Sequence, residues 1–326
     1  VNTVSDFNFI EAQKSERITK LIDHLFAGKP QIEADRAVLL TESYKKTEGK
    51  PINVRRGEAF AHILKNIPIT IRPYELIVGS NTKKPRSCQI FPEYSFSWLE
   101  DEFDTVSTRS ADPFDISEET KAALKEVFRY WEGKTTSDLA LSYMSEGAKL
   151  AMDHNIFTPG NYFYNGVGHV SVNYGEVLAI GFEGIMNKAK ASLEKIKDGD
   201  VDCVKRRAFL EGVITSLDAA CKYAERYALL ALEMVKSETD PVRKMELAII
   251  ANNCVNVPRK GATSFYEACQ SFWFVQMLLQ TESSGHSISP GRFDQYMYPY
   301  YKKDIESGKI TREFAQELID CVFVKL

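Results

Sequence analysis

Phe272-Trp-Phe-Val-Gln-Met-Leu-Leu279, followed after Gln280 and Thr281 by Glu282-Ser-Ser-Gly-His-Ser-Ile-Ser-Pro-Gly-Arg-Phe-Asp294, sets an apolar run against a polar loop deep in the chain. Ser264-Phe-Tyr-Glu267 ahead of the run has the Ser-x-x-Glu spacing of a capping box, which predicts a helix ending near Leu279. In the loop, Ser289 is suited to cap the next helix and Pro290 to sit in its first turn. His286 and Ser287 would then lie where helical N–H groups face outward and favour a hydroxyl or carboxylate ligand. The plain alternative is a surface connection between two helices.

Outward from this stretch, helical periodicity dominates. Ile18, Leu21, Ile22 and Leu25 place a helix over Glu16 to Phe26, another follows over Asp35 to Lys46, and a short one over Glu58 to Leu64. Two prolines hold Ile67-Pro-Ile-Thr-Ile-Arg-Pro73 extended, Leu76-Ile-Val78 reads as a short buried strand, and the turn-rich chain from Gly79 to Phe96 wraps over the body of the fold. Ser117 caps a helix over Glu118 to Trp131 that Gly133 ends, and Thr135 repeats the capping logic before Asp138. Longer helices are expected from about Gly175 to Lys197 and from Val204 to Ser237, with another starting at Pro241. The last, Thr311 to Leu326, carries Phe314, Leu318, Ile319, Val322 and Phe323 on helical spacing but no stop signal, so the sequence reads as the N-terminal portion of a larger fold.

Forty-one basic against forty-five acidic residues, a net charge of −4, argue against a nucleic-acid surface or a polybasic membrane patch. No apolar run reaches bilayer length and the start Val1-Asn-Thr-Val-Ser-Asp lacks signal-peptide character, so the expected location is the cytoplasm. Six cysteines lie far apart without a C-x-x-C pair, which argues against structural zinc. Cys221, Cys269 and Cys321 fall in helical apolar patterns and read as small buried groups, and no cysteine stands out as a nucleophile.

A second unusual stretch is Asn161-Tyr-Phe-Tyr-Asn-Gly-Val-Gly-His-Val-Ser-Val-Asn-Tyr174. Gly166 and Gly168 open a dinucleotide-loop pattern, but Ser171 stands where its third glycine belongs and no strand precedes it, so that site is rejected. His169 is either a buried structural histidine or a proton donor poised near neutral pH, and proximity to His286 would decide. His24, His62 and His154 read as surface or partly packed residues on helices. With no H-E-x-x-H, Walker loop or G-x-S-x-G elbow, the residues alone reach an enzyme-like polar site.

Arg36-Ala-Val-Leu-Leu-Thr-Glu-Ser-Tyr-Lys-Lys-Thr-Glu-Gly49, Glu75-Leu-Ile-Val-Gly79, the His169 stretch and Gly285 to Tyr301 together resemble the N-terminal half of the glycyl radical, pyruvate formate-lyase-like enzymes across almost the whole chain. Tyr164-Asn-Gly-Val-Gly-His-Val-Ser171 and Gly285-His-Ser-Ile-Ser-Pro290 are most similar to pocket segments of the B12-independent diol dehydratases, which act on propane-1,2-diol or glycerol. The resemblance implies an α/β fold in which residues 1–326 are the mainly helical N-terminal part of one catalytic domain, a ten-stranded barrel. Its cysteine loop, with the catalytic glutamate, and its radical-bearing glycine would lie beyond Leu326, so the segment alone is expected to be inactive.

The resemblance further implies that His169 delivers a proton to the leaving hydroxyl and that His286 and Ser287 bind the substrate. No metal or cofactor would be bound directly. The glycyl radical would be installed by a radical-SAM activase carrying S-adenosylmethionine and an iron–sulfur cluster, the enzyme would be a homodimer, and packaging in a bacterial microcompartment stays open. The rivals are a choline trimethylamine-lyase, an isethionate sulfite-lyase and a non-catalytic helical interaction fragment. A sulfonate calls for basic or amide groups and choline for a pocket suited to a quaternary cation, whereas Tyr164, His169, His286 and Ser287 suit neutral hydroxyls.

Overall fold

A computed structural model of the protein describes residues 15–158, 164–284 and 286–326. Most of these residues are helical. In chain order the helices are α1 (Glu16–Phe26), α2 (Asp35–Lys46), α3 (Ile52–Asn66), α4 (Ser97–Glu100), α5 (Glu118–Trp131), α6 (Thr136–Tyr143) and α7 (Glu146–Asp153). They continue as α8 (Tyr174–Glu194), α9 (Cys203–Ser237), α10 (Pro241–Asn256), α11 (Phe265–Ser283), α12 (Phe293–Glu306) and α13 (Arg312–Lys325). The strands among the described residues form two parallel pairs, β1 (Ile32–Glu33) with β2 (Cys88–Gln89) and β3 (Val167–Ser171) with β4 (His286–Ser289).

Local chemistry sets most helix starts. Ser15, Ser117, Ser145, Ser264 and Thr311 each accept a first-turn amide through the side-chain hydroxyl, and Thr135 with Asp138 completes a reciprocal capping box. Ser264 forms only half of the expected box. Glu267 reaches instead to the backbone N–H and hydroxyl of Thr263, at 2.7 Å each, and accepts from the Asn256 amide at 2.9 Å.

The centre of the fold is α11, whose residues from Phe265 to Leu278 are buried on every side, as a core helix requires. Its buried amides organise what surrounds it. Gln270 accepts from Val78 N at 2.9 Å and donates to Val78 O at 2.8 Å, and the Tyr266 hydroxyl donates to Leu76 O at 2.7 Å. Leu76, Ile77 and Val78 are therefore buried as expected but do not form a strand: side chains of α11 supply these partners instead of a neighbouring strand.

Helix α9 packs along α3, α8 and α10. The helix expected over Glu58 to Leu64 is the longer α3, running through Gly57 despite that residue's poor helix propensity. A Cβ on Gly57 would meet Gly212 O at 2.8 Å and one on Gly212 would meet Asn53 O at 2.5 Å, so the two helix backbones touch at this crossing. Helix α8 breaks at Gly181, where φ is +65°, and Phe182 N and Glu183 N turn outward to Pro258 O and Arg259 O. A Cβ there would lie 2.3 Å from Arg259 O. Gly181→Ala is expected to destabilise the intact protein by about 3 kcal/mol in chemical denaturation, combining left-handed backbone strain with a steric clash.

The cysteines behave as small core groups. Cys221, Cys254, Cys269 and Cys321 are buried. Burial pushes the thiols of Cys88 and Cys321 up to about 12 and that of Cys221 to about 11, which disfavours the nucleophilic thiolate. No helix among the described residues is long and apolar enough to cross a membrane.

Candidate functional site

Helix α11 continues one turn past Leu279, through Glu282 and Ser283, because its C-terminal carbonyls are held by a buried side chain. Arg36, 1% exposed, donates from Nε to Thr281 O at 2.7 Å and from a terminal nitrogen to Glu282 O at 3.1 Å. The same guanidinium meets both carboxylate oxygens of Glu93, at 2.6 and 3.1 Å, and lies 3.6 Å from the centre of the Phe91 ring. Arg56 pairs with the Glu282 carboxylate. Ser284 then takes the left-handed cap position, at φ +55°, and turns the chain into β4.

That turn brings the two unusual stretches of sequence side by side. In the parallel pair Val167 stands opposite His286, Val170 opposite Ile288 and Ser171 opposite Ser289. Between the first two of these pairings β3 advances three residues and β4 two, so β3 carries one extra residue in the interval that contains His169. Such a bulge re-aims side chains and is common beside functional sites. Ser287, in the same interval of β4, has φ +58°, a strained backbone state for a non-glycine residue that costs roughly 1–3 kcal/mol. The side chains of His169, Ser287 and Ser289 are exposed in this chain.

The pair is fastened at both ends. Ser284 Oγ donates to Gly166 O at 3.2 Å and Ser95 Oγ to Tyr164 O at 3.0 Å, while a Cβ on Gly166 would come within 2.1 Å of the Tyr94 ring. At the other end the Gln276 amide donates to Ile288 O at 3.2 Å and accepts from the Tyr174 hydroxyl, and the Tyr296 hydroxyl donates to Pro290 O at 2.7 Å. Desolvation pushes the phenol of Tyr94 up to about 12, with the nearby Glu93 and Glu282 carboxylates acting the same way, so it remains a neutral hydrogen-bonding group.

Two sequence expectations are corrected here. Ser289 does not cap a helix: it lies in β4, where its Oγ accepts from Gly291 N at 3.2 Å, and α12 begins only at Phe293 after Arg292. His286 and Ser287 consequently belong to a strand rather than to a helix N-terminus. Of the two readings left open for His169, its exposure in this chain speaks against the buried structural one. The pairing of β3 with β4 brings the backbones of the His169 and His286 segments together. Asn161, Tyr162, Phe163 and Gly285 lie outside the described residues, and of His286 only the backbone is described.

The remaining histidines stand apart on helices, His24 in α1, His62 beside Glu42 at 2.9 Å and His154 at the end of α7. Arg36, Glu93, Tyr174, Gln276 and Tyr296 were missed as supports of the site. A lone amide inside Phe272 to Leu278 was the available signal for Gln276, since a buried amide must find partners. Among the described residues no cluster of three or more histidine, cysteine or acidic side chains is arranged to hold a metal ion.

Comparison with known proteins places this geometry in context. The family described as Pyruvate formate lyase-like matches residues 12–326. A solved structure from work on 1,2-propanediol dehydration in Roseburia inulinivorans superposes with a TM-score of 0.94 at 61% identity, covering 96% of this chain and 37% of that one. The glycerol-bound B12-independent glycerol dehydratase from Clostridium butyricum superposes with a TM-score of 0.93 at 56% identity, covering 96% and 39%. The (2S)-3-sulfopropanediol dehydratase of Klebsiella oxytoca is 37% identical over 309 residues, covering 92% of this chain and 37% of the relative. The chain thus spans well under half the length of these relatives.

Proposed function

The chain belongs to the pyruvate formate lyase-like family of glycyl radical enzymes, and on that premise we propose that residues 1–326 form the N-terminal portion of one catalytic domain of a diol dehydratase. The intact protein removes water from propane-1,2-diol to give propanal, or from glycerol to give 3-hydroxypropanal. The observation that carries this is the parallel pairing of β3 with β4, which joins the His169 and Ser287 segments in a chain 61% and 56% identical to the propanediol and glycerol structures.

When installed by a radical-SAM activase, the glycyl radical supplies hydrogen removal at substrate C1 through residues outside this chain. The residues of this chain handle the oxygens. His286 and Ser287 hydrogen-bond the substrate hydroxyls and hold the two carbons in a geometry open to reaction, a positioning effect of large kinetic value. His169 donates a proton to the C2 oxygen as its bond to carbon breaks and the bonding pair leaves with oxygen, because hydroxide is a poor leaving group and water is not. The base at the C1 hydroxyl is a glutamate outside this chain. Diol becomes aldehyde plus water, with no net oxidant or reductant. Both activase and a second copy of the protein are proposed partners.

A sulfonate substrate is disfavoured by the residues themselves. Neither Tyr164 to Tyr174 nor His286 to Gly291 contains lysine or arginine, and Arg292 is exposed and paired with Asp294 through two contacts of 3.1 Å. The test is to activate the intact protein anaerobically and supply propane-1,2-diol, glycerol, choline and isethionate separately. Propanal or 3-hydroxypropanal is the expected product; acetaldehyde from choline or isethionate would replace this assignment with another radical lyase.

Ser287 separates hydroxyl chemistry from backbone geometry. Ser287→Ala is expected to raise KM for the diol about tenfold by removing one hydrogen bond to the substrate. Ser287→Gly should raise KM similarly while stabilising the fold by about 1 kcal/mol, since glycine adopts positive φ freely. Steady-state kinetics and denaturation of both variants check the pair.

A further inference from the structure

Resting on the diol-site assignment above, we infer that Gln276, working with Tyr174, is the positioning residue that sets β4 against β3 and so fixes where Ser287 stands relative to His169. The β3–β4 ladder is short. It is interrupted by the extra residue around His169, so its own backbone bonds specify register weakly. Something outside the ladder must hold β4 at a defined height.

Gln276 is placed to do so. It is the one amide side chain between Phe272 and Leu278, and it is 3% exposed. Its amide nitrogen donates to Ile288 O at 3.2 Å, and Ile288 is flanked by Ser287 and stands opposite Val170, the neighbour of His169. Its amide oxygen accepts from the hydroxyl of Tyr174, itself 1% exposed and the first residue of α8, three residues after β3 ends. One side chain thus links the backbone of β4 to the helix that leaves β3.

The anchor is stiff. The Tyr174 ring packs 4.8 Å from Phe272 and 5.6 Å from Tyr296, whose own hydroxyl holds Pro290 O just beyond β4. Burial holds the Tyr174 phenol in its protonated, donating form. Gln276 touches no substrate in this account; it acts through Ile288 on its strand neighbour Ser287.

The test uses the intact activated protein with the Gln276→Leu and Tyr174→Phe variants and their double. The expected result for Gln276→Leu is a KM for the diol raised at least fivefold, with faster amide exchange confined to β3 and β4. Tyr174→Phe should show a smaller rise of two- to threefold, and the double variant should be no worse than Gln276→Leu alone. KM does not depend on how much protein folds, so a purely structural role would leave it unchanged in the folded fraction. An unchanged KM in both single variants, or exchange that quickens uniformly through α11 and its neighbours, would overturn the inference. Should Gln276→Leu fail to fold, Tyr174→Phe carries the decision on the same criteria. If the unaltered protein turns over none of the diols, the function assignment fails, and local exchange at β3 and β4 still decides whether Gln276 sets the strand pair.

Discussion

In the intact, activated protein, His169→Ala is expected to lower kcat for propane-1,2-diol by about 10²–10⁴-fold, the range that a positioned proton donor contributes. His169→Gln should be similarly slow, because it keeps hydrogen-bonding groups but has no titratable proton to deliver near neutral pH. The glycyl radical signal in electron paramagnetic resonance should persist in both variants, which separates a defect in elimination from a defect in activation. The structural basis is the extra residue in β3 around His169 facing the left-handed Ser287 of β4. Near-normal turnover by His169→Ala would remove this side chain from the mechanism.

The second large effect concerns stability. Arg36→Met is expected to destabilise the intact protein by about 3–5 kcal/mol, the cost of breaking a buried charge pair by removing one partner. Arg36 is 1% exposed and serves Glu93, Thr281 O and Glu282 O at once, so its loss strands a half-buried carboxylate together with two helix-end carbonyls. Replacing Glu93 by Leu in the same protein should recover part of that loss, since the stranded charge is then gone. Chemical denaturation of the two single variants and the double measures both. A loss below about 1 kcal/mol would mean that α11 ends where it does without Arg36.

The fold was legible wherever local chemistry decides it. Ser117 and Thr135 start their helices as the sequence predicts, and α1, α2 and α5 have the expected boundaries. The errors fall where a distant partner overrides the local signal. Ser289-Pro290-Gly291 reads locally as the opening of a helix, but Ser289 pairs with Ser171 from a strand far back in the chain. Leu76 to Val78 reads as a strand, but Gln270 and Tyr266 supply partners that a neighbouring strand would otherwise give. The short helix read over Glu58 to Leu64 is the longer α3, which runs through Gly57, whose contact with Gly212 is set by a helix much later in sequence.

The site was legible in its parts and not in its construction. Both polar stretches stood out by composition, and the resemblance they carry named His169, His286 and Ser287. Their adjacency, the bulge and the positive φ of Ser287 depend on the crossover from β3 through α8 to α11, which no local pattern encodes.

The position of bound diol in a crystal structure of the intact protein tests the roles proposed for His169 and Ser287. One diol oxygen is expected within about 3 Å of the His169 imidazole and the other hydroxyl on the Ser287 side of the β3–β4 pair, as hydrogen bonding and proton delivery require. A diol bound away from these strands, touching neither His169 nor Ser287, would rule out the roles proposed for both side chains.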